Sequence, residues 1–221
     1  MEDVVRFVLL RRRSDLTHEQ FSEYWSTKHV EVLLSAGLRE YNYSYTQNHF
    51  EALPGRQTSN LRFDGGPQML QKDPTVIQSG FQQDPRYMSV VRPDEEHFLD
   101  AAKGVTLFTD VVPHKEGAKE SRKLMIFAPF ADCGSMEQGK VSLAKWQDAF
   151  LRKHGSSAAS CTHYHTIESR GPTPHFDVVV EYWLDTDEAA ASLFSRIEKE
   201  WPVALNRGNA FSVISHPRKF Y

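Results

Sequence analysis

Two cysteines in 221 residues, Cys133 and Cys161, are too few for a disulfide framework or a thiolate zinc site. No apolar stretch approaches the roughly 20 residues that a membrane-spanning helix needs. The N-terminus, Met1 to Arg13, sets acids before a short apolar run and arginines after it, the reverse of a secretory signal. Basic charge is not in excess either. Residues 1–117 carry 13 basic and 17 acidic side chains, and residues 118–221 carry 13 and 12, so neither half offers the positive field that nucleic acid rewards. A glycine-rich phosphate loop, a nucleophile elbow and a two-histidine zinc helix are all missing. These absences predict a soluble, cytoplasmic protein with no nucleic-acid or membrane partner. What is present is ordinary globular composition, 40% hydrophobic and 25% charged. The 14 Phe, 8 Tyr and 4 Trp suffice to fill a core and leave aromatic surface for a ligand.

The chain repeats itself. Phe21–His29 (FSEYWSTKH) lines up with Trp146–His154 (WQDAFLRKH): two aromatics four residues apart, then Lys-His. SYTQNH, ending at His49, lines up with SCTHYH, ending at His165, and Phe63-Asp64 lines up with Phe176-Asp177. The offsets drift from 125 to 116 to 113, and the extra residues of the first half fall where loops are expected, which absorb length cheaply. Two units follow, residues 1–117 and 118–221, with polar Pro113–Arg122 as linker.

Each unit reads strand-helix-strand-strand-helix-strand. Val4–Arg11 and Lys123–Phe130 are first strands. Helices follow over Thr17–Ala36 and Ser142–Ala158, the first opened by a capping box, Thr17 with Gln20. Phe21, Trp25, His29 and Leu33 step along one helix face. Second strands cover Arg39–His49, with Tyr41, Tyr43 and Tyr45 alternating onto one face, and Ser160–Glu168. Third strands are Phe63–Leu70, weakened by Gly65-Gly66 in a turn-like context, and Phe176–Leu184. Helices over Pro74–Val91 and Asp187–Trp201 precede last strands at Val105–Val112 and Ala210–Ser215. This α+β order is that of a ferredoxin-like domain, whose bare sheet face a tandem copy would cover, closing a barrel within one chain with helices outside. Further oligomerisation stays open.

Trp25-x-x-Lys28-His29, Tyr45-Thr-Gln-Asn-His49, Phe63-Asp64-Gly65, Asp84-Pro-Arg-Tyr87 and the string Pro93 to Asp100 resemble the EthD family of the dimeric α-β barrel superfamily. The first half carries the resemblance over nearly its full length. The second has no Pro-Asp-Glu string and reads as a degenerate copy. The resemblance implies cofactor-free work, with no metal, on a small aromatic or polyketide-derived substrate of secondary metabolism: a lyase or cyclase that decarboxylates, dehydrates or cyclises. Alternatives in the same superfamily are a haem-dependent or cofactor-free oxidative enzyme, and a non-catalytic stress protein that binds a small molecule.

All three lyase chemistries move a proton while negative charge builds on an oxygen. Histidine titrates near working pH and suits the first task, and a hydrogen-bond donor suits the second. His29, on the inward helix face, is the expected proton shuttle, and His49 the partner for an oxyanion or carboxylate. Trp25, Tyr41, Tyr43 and Tyr45 are expected to wall the cavity. His154 and His165 are candidates for a second pocket, and with His163 they form a remote three-histidine metal reading. Asp64 and Asp177 read as turn or capping residues, Asp94, Glu95, Glu96 and His97 as a solvated loop anchored by Phe98, and Cys161 as a small buried residue.

Overall fold

Strands that are apolar on both faces need cover on both faces, and a closed barrel with helices outside supplies it. The computed structural model describes residues 4–58, 61–71, 80–132, 134–154, 158–173 and 175–221. Eight strands form: β1 (Val4–Leu9), β2 (Ser44–Glu51), β3 (Gly65–Gln71), β4 (Val105–Lys115), β5 (Arg122–Ala128), β6 (Ser160–Arg170), β7 (Val178–Leu184) and β8 (Phe211–Lys219). They close into one barrel in ring order β1-β3-β2-β8-β5-β7-β6-β4, every neighbouring pair antiparallel. Within that ring the first half runs β4-β1-β3-β2 and the second β8-β5-β7-β6, joined at β2–β8 and β4–β6.

Alternation along β1 sends Val5, Phe7 and Leu9 inward, where they meet Phe50, Leu107, Phe127, Val179 and Val213 in a core drawn from both halves. One end of the interior is polar. Lys123 Nζ lies 3.0 Å from Glu181 Oε2 and donates to Gln68 Oε1 at 2.6 Å, while Trp183 Nε1 and Tyr164 Oη donate to Glu181 Oε1 at 2.8 and 3.1 Å.

Among the described residues four helices lie outside. Helix α1 spans residues 18–35, opened by the capping box at Thr17 and Gln20, with a π turn over Trp25–His29. Helix α2 spans residues 85–95 and has a second π turn at Tyr87–Val91. Helices α3 (Met136–His154) and α4 (Asp187–Lys199) pack on the second half through Leu143, Phe150, Leu193 and Ile197.

Several expected boundaries move. Helix α3 begins six residues before Ser142. Residues 74–79 of the expected helix over Pro74–Val91 lie outside the described residues, as do 155–157 and Cys133. What is described there is a 3₁₀ turn at Phe81–Gln83, after which α2 starts beyond Asp84 and runs through Pro93. Strand β4 takes in the first residues of the expected linker. Gly65-Gly66 is not a turn but the start of β3. A Cβ on Gly65 would sit 2.6 Å from the Trp25 ring, and one on Gly66 2.7 Å from the Val8 carbonyl oxygen. The glycines let the Trp25 ring and the β1 backbone come close to the sheet.

Candidate functional site

The outward face of β1 carries Arg6 and Val8, with Leu10 just beyond its end, and that of β3 carries Pro67 and Met69. With Tyr45 and Thr106 they floor a cavity of about 230 Å³ beneath α1 and α2. Trp25, His29 and Leu33 descend from α1, Tyr87, Val91 and Glu95 from α2, and Phe98 and Leu99 from the segment after it. Both helices present a π turn to this space, which widens the helix locally and re-aims the side chains it carries.

His29 is buried, its ring 4.9 Å from that of Phe98. Its Nδ1 lies 2.7 Å from Asp94 Oδ2, and Tyr24 Oη donates to Asp94 Oδ1, also at 2.7 Å. Burial opposes ionisation of Asp94, but the hydrogen bonds from His29 and Tyr24 outweigh it and hold the carboxyl below its ordinary range. An ionised carboxylate has no proton to give, so Nδ1 must be the donor, and in the neutral ring Nε2 carries the lone pair. Nε2 makes no hydrogen bond among the described residues, and His29 lines the cavity. Burial, then the bond to Asp94, pushes the Tyr24 phenol up to about 12. On the opposite wall Tyr87 Oη donates to Glu95 Oε2 at 2.9 Å, and burial raises the Glu95 carboxyl above its usual value.

The expected residues divide. Trp25, His29 and Tyr45 line the cavity. His49 does not. Its Nε2 donates to Gln47 Oε1 at 3.0 Å, and its Nδ1 lies 2.7 Å from Ser22 Oγ, so both ring nitrogens are used. Gln47 is itself fixed because its amide nitrogen donates to the Trp25 carbonyl and to Tyr45 Oη at 2.9 and 3.2 Å. Burial, then the charges of Arg218, His18 and His216, drops the His49 imidazole to about 3, a neutral ring that ties strand to helix and backs Trp25 at 4.7 Å. Tyr41 belongs to a 3₁₀ turn (Arg39–Tyr41) rather than to β2 and donates to Asp84 Oδ2 at 2.9 Å. Tyr43 precedes β2 and is exposed. The expected alternation of three tyrosines therefore fails, because the strand begins only at Ser44.

In the second half, His154 Nε2 lies 3.0 Å from Glu200 Oε1, the counterpart of the His29–Asp94 pair. The crevice between Leu143, Trp146, Tyr182 and Ile197 has no room for a water molecule, and neither His154 nor His165 lines it. His165 is buried, stacked on Phe130 at 6.2 Å, and burial drops it to about 4. The donor atoms of His154, His163 and His165 do not converge among the described residues. Asp64 and Asp177 do the same work in both halves: their carboxylates accept from the backbone N–H of Arg12 and of Phe130, at 2.9 and 2.8 Å. Asp64 adds an ion pair with Arg11 at 3.3 Å and another with Arg12.

Sequence reasoning passed over Arg6, Tyr87, Asp94 and Glu95. Tyr87 and Asp94 lay in strings that carry the family resemblance, and Arg6 is the one charge inside Val4–Leu9. Asp94 and Glu95 are not in a solvated loop but in the last turn of α2, with Phe98 as the buried anchor.

Residues 13–102 match the EthD domain family. The match lies within the cavity-bearing half, beginning after β1 and stopping before β4. No curated protein matches the chain in sequence. Among solved structures, the fold is similar to that of an anthrone oxidase-like protein (TM-score 0.58, 9% identity, 98% of this chain and 92% of that one). It is also similar to a monooxygenase-like protein from Lactobacillus acidophilus NCFM (0.54, 8%, 98% and 94%). A chlorite dismutase variant from Candidatus Nitrospira defluvii gives 0.51 at 8% identity, covering 96% and 90%. At such identities the likeness shows the dimeric α-β barrel fold and nothing finer.

Haem does not fit the cavity that the described residues of the first half enclose. A histidine backed by a carboxylate has the chemistry of an axial ligand. The cavity of about 230 Å³ nonetheless falls below the roughly 300–1,000 Å³ of pockets that hold drug-sized ligands, and a porphyrin is larger than those. In the second half the crevice between Leu143, Trp146, Tyr182 and Ile197 has no room even for a water molecule.

Proposed function

We propose that the first-half cavity performs cofactor-independent proton transfer on an aromatic or polyketide-derived substrate, as a lyase or cyclase built on a duplicated ferredoxin-like unit. The single observation that carries this reading is the His29–Asp94 pair. One imidazole nitrogen is held by a carboxylate, and the other is open to a cavity walled by Trp25, Tyr45 and Phe98. Nε2 takes a proton from an acidic carbon or hydroxyl, the electron pair moves onto the conjugated carbonyl oxygen, and Asp94 stabilises the imidazolium. In a decarboxylation the imidazolium gives its proton to the carbon that CO₂ has left, and in a dehydration it gives it to the departing hydroxyl, which leaves as water. The aromatic walls fit a flat conjugated system, in which the charge formed is delocalised.

Deuterium exchange into the acidic C–H of aromatic β-keto compounds, with CO₂ release from hydroxyaryl acids, tests the reading. His29→Gln is expected to reduce exchange by at least about 100-fold with the fold retained. Exchange within threefold of wild type would remove His29 from the reaction. The likeness to an anthrone oxidase-like protein favours a second outcome of the same first step, capture of the carbanion by O₂. Oxygen uptake measured alongside separates oxidation from the lyase and cyclase routes.

A further inference from the structure

Arg6 sits at the centre of β1, paired with Met69 of β3 on one side and Phe108 of β4 on the other, and is 5% exposed. A guanidinium this deep is normally matched by a carboxylate or a set of carbonyls, because an unpaired buried charge is costly. Arg6 has neither among the described residues. Its one hydrogen bond goes from Nη2 to the Met69 sulfur at 3.0 Å, a weak acceptor, and its Nε is buried with no partner. The Phe81 ring covers it at 5.6 Å. The nearest acidic groups, Tyr87 and Glu95, act on it through space without ion-pair contact, and Glu95 is engaged by Tyr87. Burial pulls the guanidinium down to about 10, so it remains charged at neutral pH.

The second half shows that the fold does not need this charge. Asp64 N–H donates to the Leu10 carbonyl and Asp177 N–H to that of Ala128, at 2.8 and 3.0 Å, which fixes the correspondence of β1 with β5. At that offset Arg6 falls on Leu124, which faces Tyr182 as Arg6 faces Met69 and lies in the apolar cluster under α3 and α4. The same outward position is thus filled by a leucine in the packed half, and by an arginine with no carboxylate partner among the described residues in the half with the cavity.

We infer that Arg6 is the anion anchor of this cavity and that its ligand enters as an oxyanion, a carboxylate or phenolate conjugated to an aromatic ring. That this ligand is also the substrate rests on the proton-transfer reading, whereas anion binding stands by itself. The free N–H groups of the guanidinium bond one or both oxygens of the anion. The ring then lies against Trp25 and Phe98, beneath His29 Nε2.

Benzoate, 4-nitrophenolate and neutral benzamide, titrated calorimetrically into the full chain, test the assignment. Arg6→Gln is expected to weaken benzoate or 4-nitrophenolate by about 10- to 100-fold, the cost of one hydrogen bond to a charged group, and to leave benzamide within about threefold. Which anion loses more identifies carboxylate or phenolate as the natural group. Arg6→Lys should retain part of the anion preference, and Arg6→Met should melt at or above the wild-type temperature, because it removes an unpaired buried charge. His29→Gln should keep benzoate binding while losing exchange, so failure of the proton-transfer reading leaves this one standing. Unchanged benzoate affinity in Arg6→Gln overturns the proposal. So does equal loss of benzoate and benzamide, no binding of either anion to wild type, or a lower melting temperature in Arg6→Met.

Discussion

Replacing Asp94 by Asn changes one atom in the site and reverses the tautomer of His29. In the native arrangement Asp94 Oδ2 accepts from Nδ1 at 2.7 Å while Oδ1 accepts from Tyr24 at the same distance. An asparagine placed there can still accept from Tyr24 with its oxygen. Its amide then points at His29, and a neutral ring answers an N–H donor with a lone pair on Nδ1, which moves the ring proton to Nε2. The cavity then meets a donor instead of a base. Loss of the charged hydrogen bond to the imidazolium costs about 1.5–3 kcal/mol, or roughly 10- to 150-fold. The wrong tautomer adds to this, and the same exchange in the Ser-His-Asp template costs about 10⁴-fold in all. Exchange catalysed by Asp94→Asn is therefore expected to fall by roughly 10²- to 10⁴-fold, with KM changed by less than about threefold, since Asp94 does not line the cavity. Nitrogen-15 spectra of the imidazole should show the proton on Nδ1 in wild type and on Nε2 in the variant. Turnover within tenfold of wild type, or an Nε2 proton in the native protein, would refute the reasoning.

Three further outcomes follow from packing and charge. His49, His163 and His165 are held neutral by burial, His49 to about 3 and His165 to about 4, while in the unfolded chain they take protons near 6.5. Below about 6.5 the unfolded state thus binds more protons. Urea midpoints should be highest above that pH and fall towards pH 4, by up to about 1.4 kcal/mol per pH unit for each histidine; a flat profile from pH 7 to pH 4.5 counts against this. Gly65→Ala drives a methyl against Trp25 and should cost about 1–3 kcal/mol by urea titration, together with altered Trp fluorescence; unchanged values would mean that the ring does not rest there. Lys123→Met strands Glu181 in the barrel interior and should cost about 3–5 kcal/mol, with most of it recovered when Glu181→Gln is added; an additive double variant would contradict a coupled pair.

The sequence carries the barrel plainly and the site only in part. Eight strands, the capping box and the Trp25–His29 face are periodic signals, written in consecutive residues. Asp94 was not legible as a partner of His29 because 65 residues separate them, and only the docking of α2 on α1 brings them together. Glu95 and Arg6 share that difficulty, since a charge in a pattern says nothing of what it will face. His49 misled in the opposite direction: a histidine at a strand end in a repeated motif reads as chemistry, but Ser22 and Gln47 consume both nitrogens. Gly65-Gly66 was read through its backbone freedom, whereas its role is the absence of a side chain beneath Trp25.

The two halves keep one skeleton and differ in what fills it. Each has a Lys-His in its first helix and a carboxylate at or just after the end of its second, His29 with Asp94 and His154 with Glu200. Opposite the helix, the first half places Gly65, Pro67 and Met69 where the second places Val178, Val180 and Tyr182. The smaller set leaves space, which the π turns of α1 and α2 enlarge. The larger set removes it, with Tyr182 donating its hydroxyl to Gln147 at 2.6 Å on an α3 that has no π turn. A histidine–carboxylate pair is therefore compatible with the fold in either setting, buried in the first half and partly exposed in the second, and by itself implies no reaction. What singles out the first half is the coincidence of that pair with open volume and an unmatched arginine, two features that weaken a core and that the second half lacks.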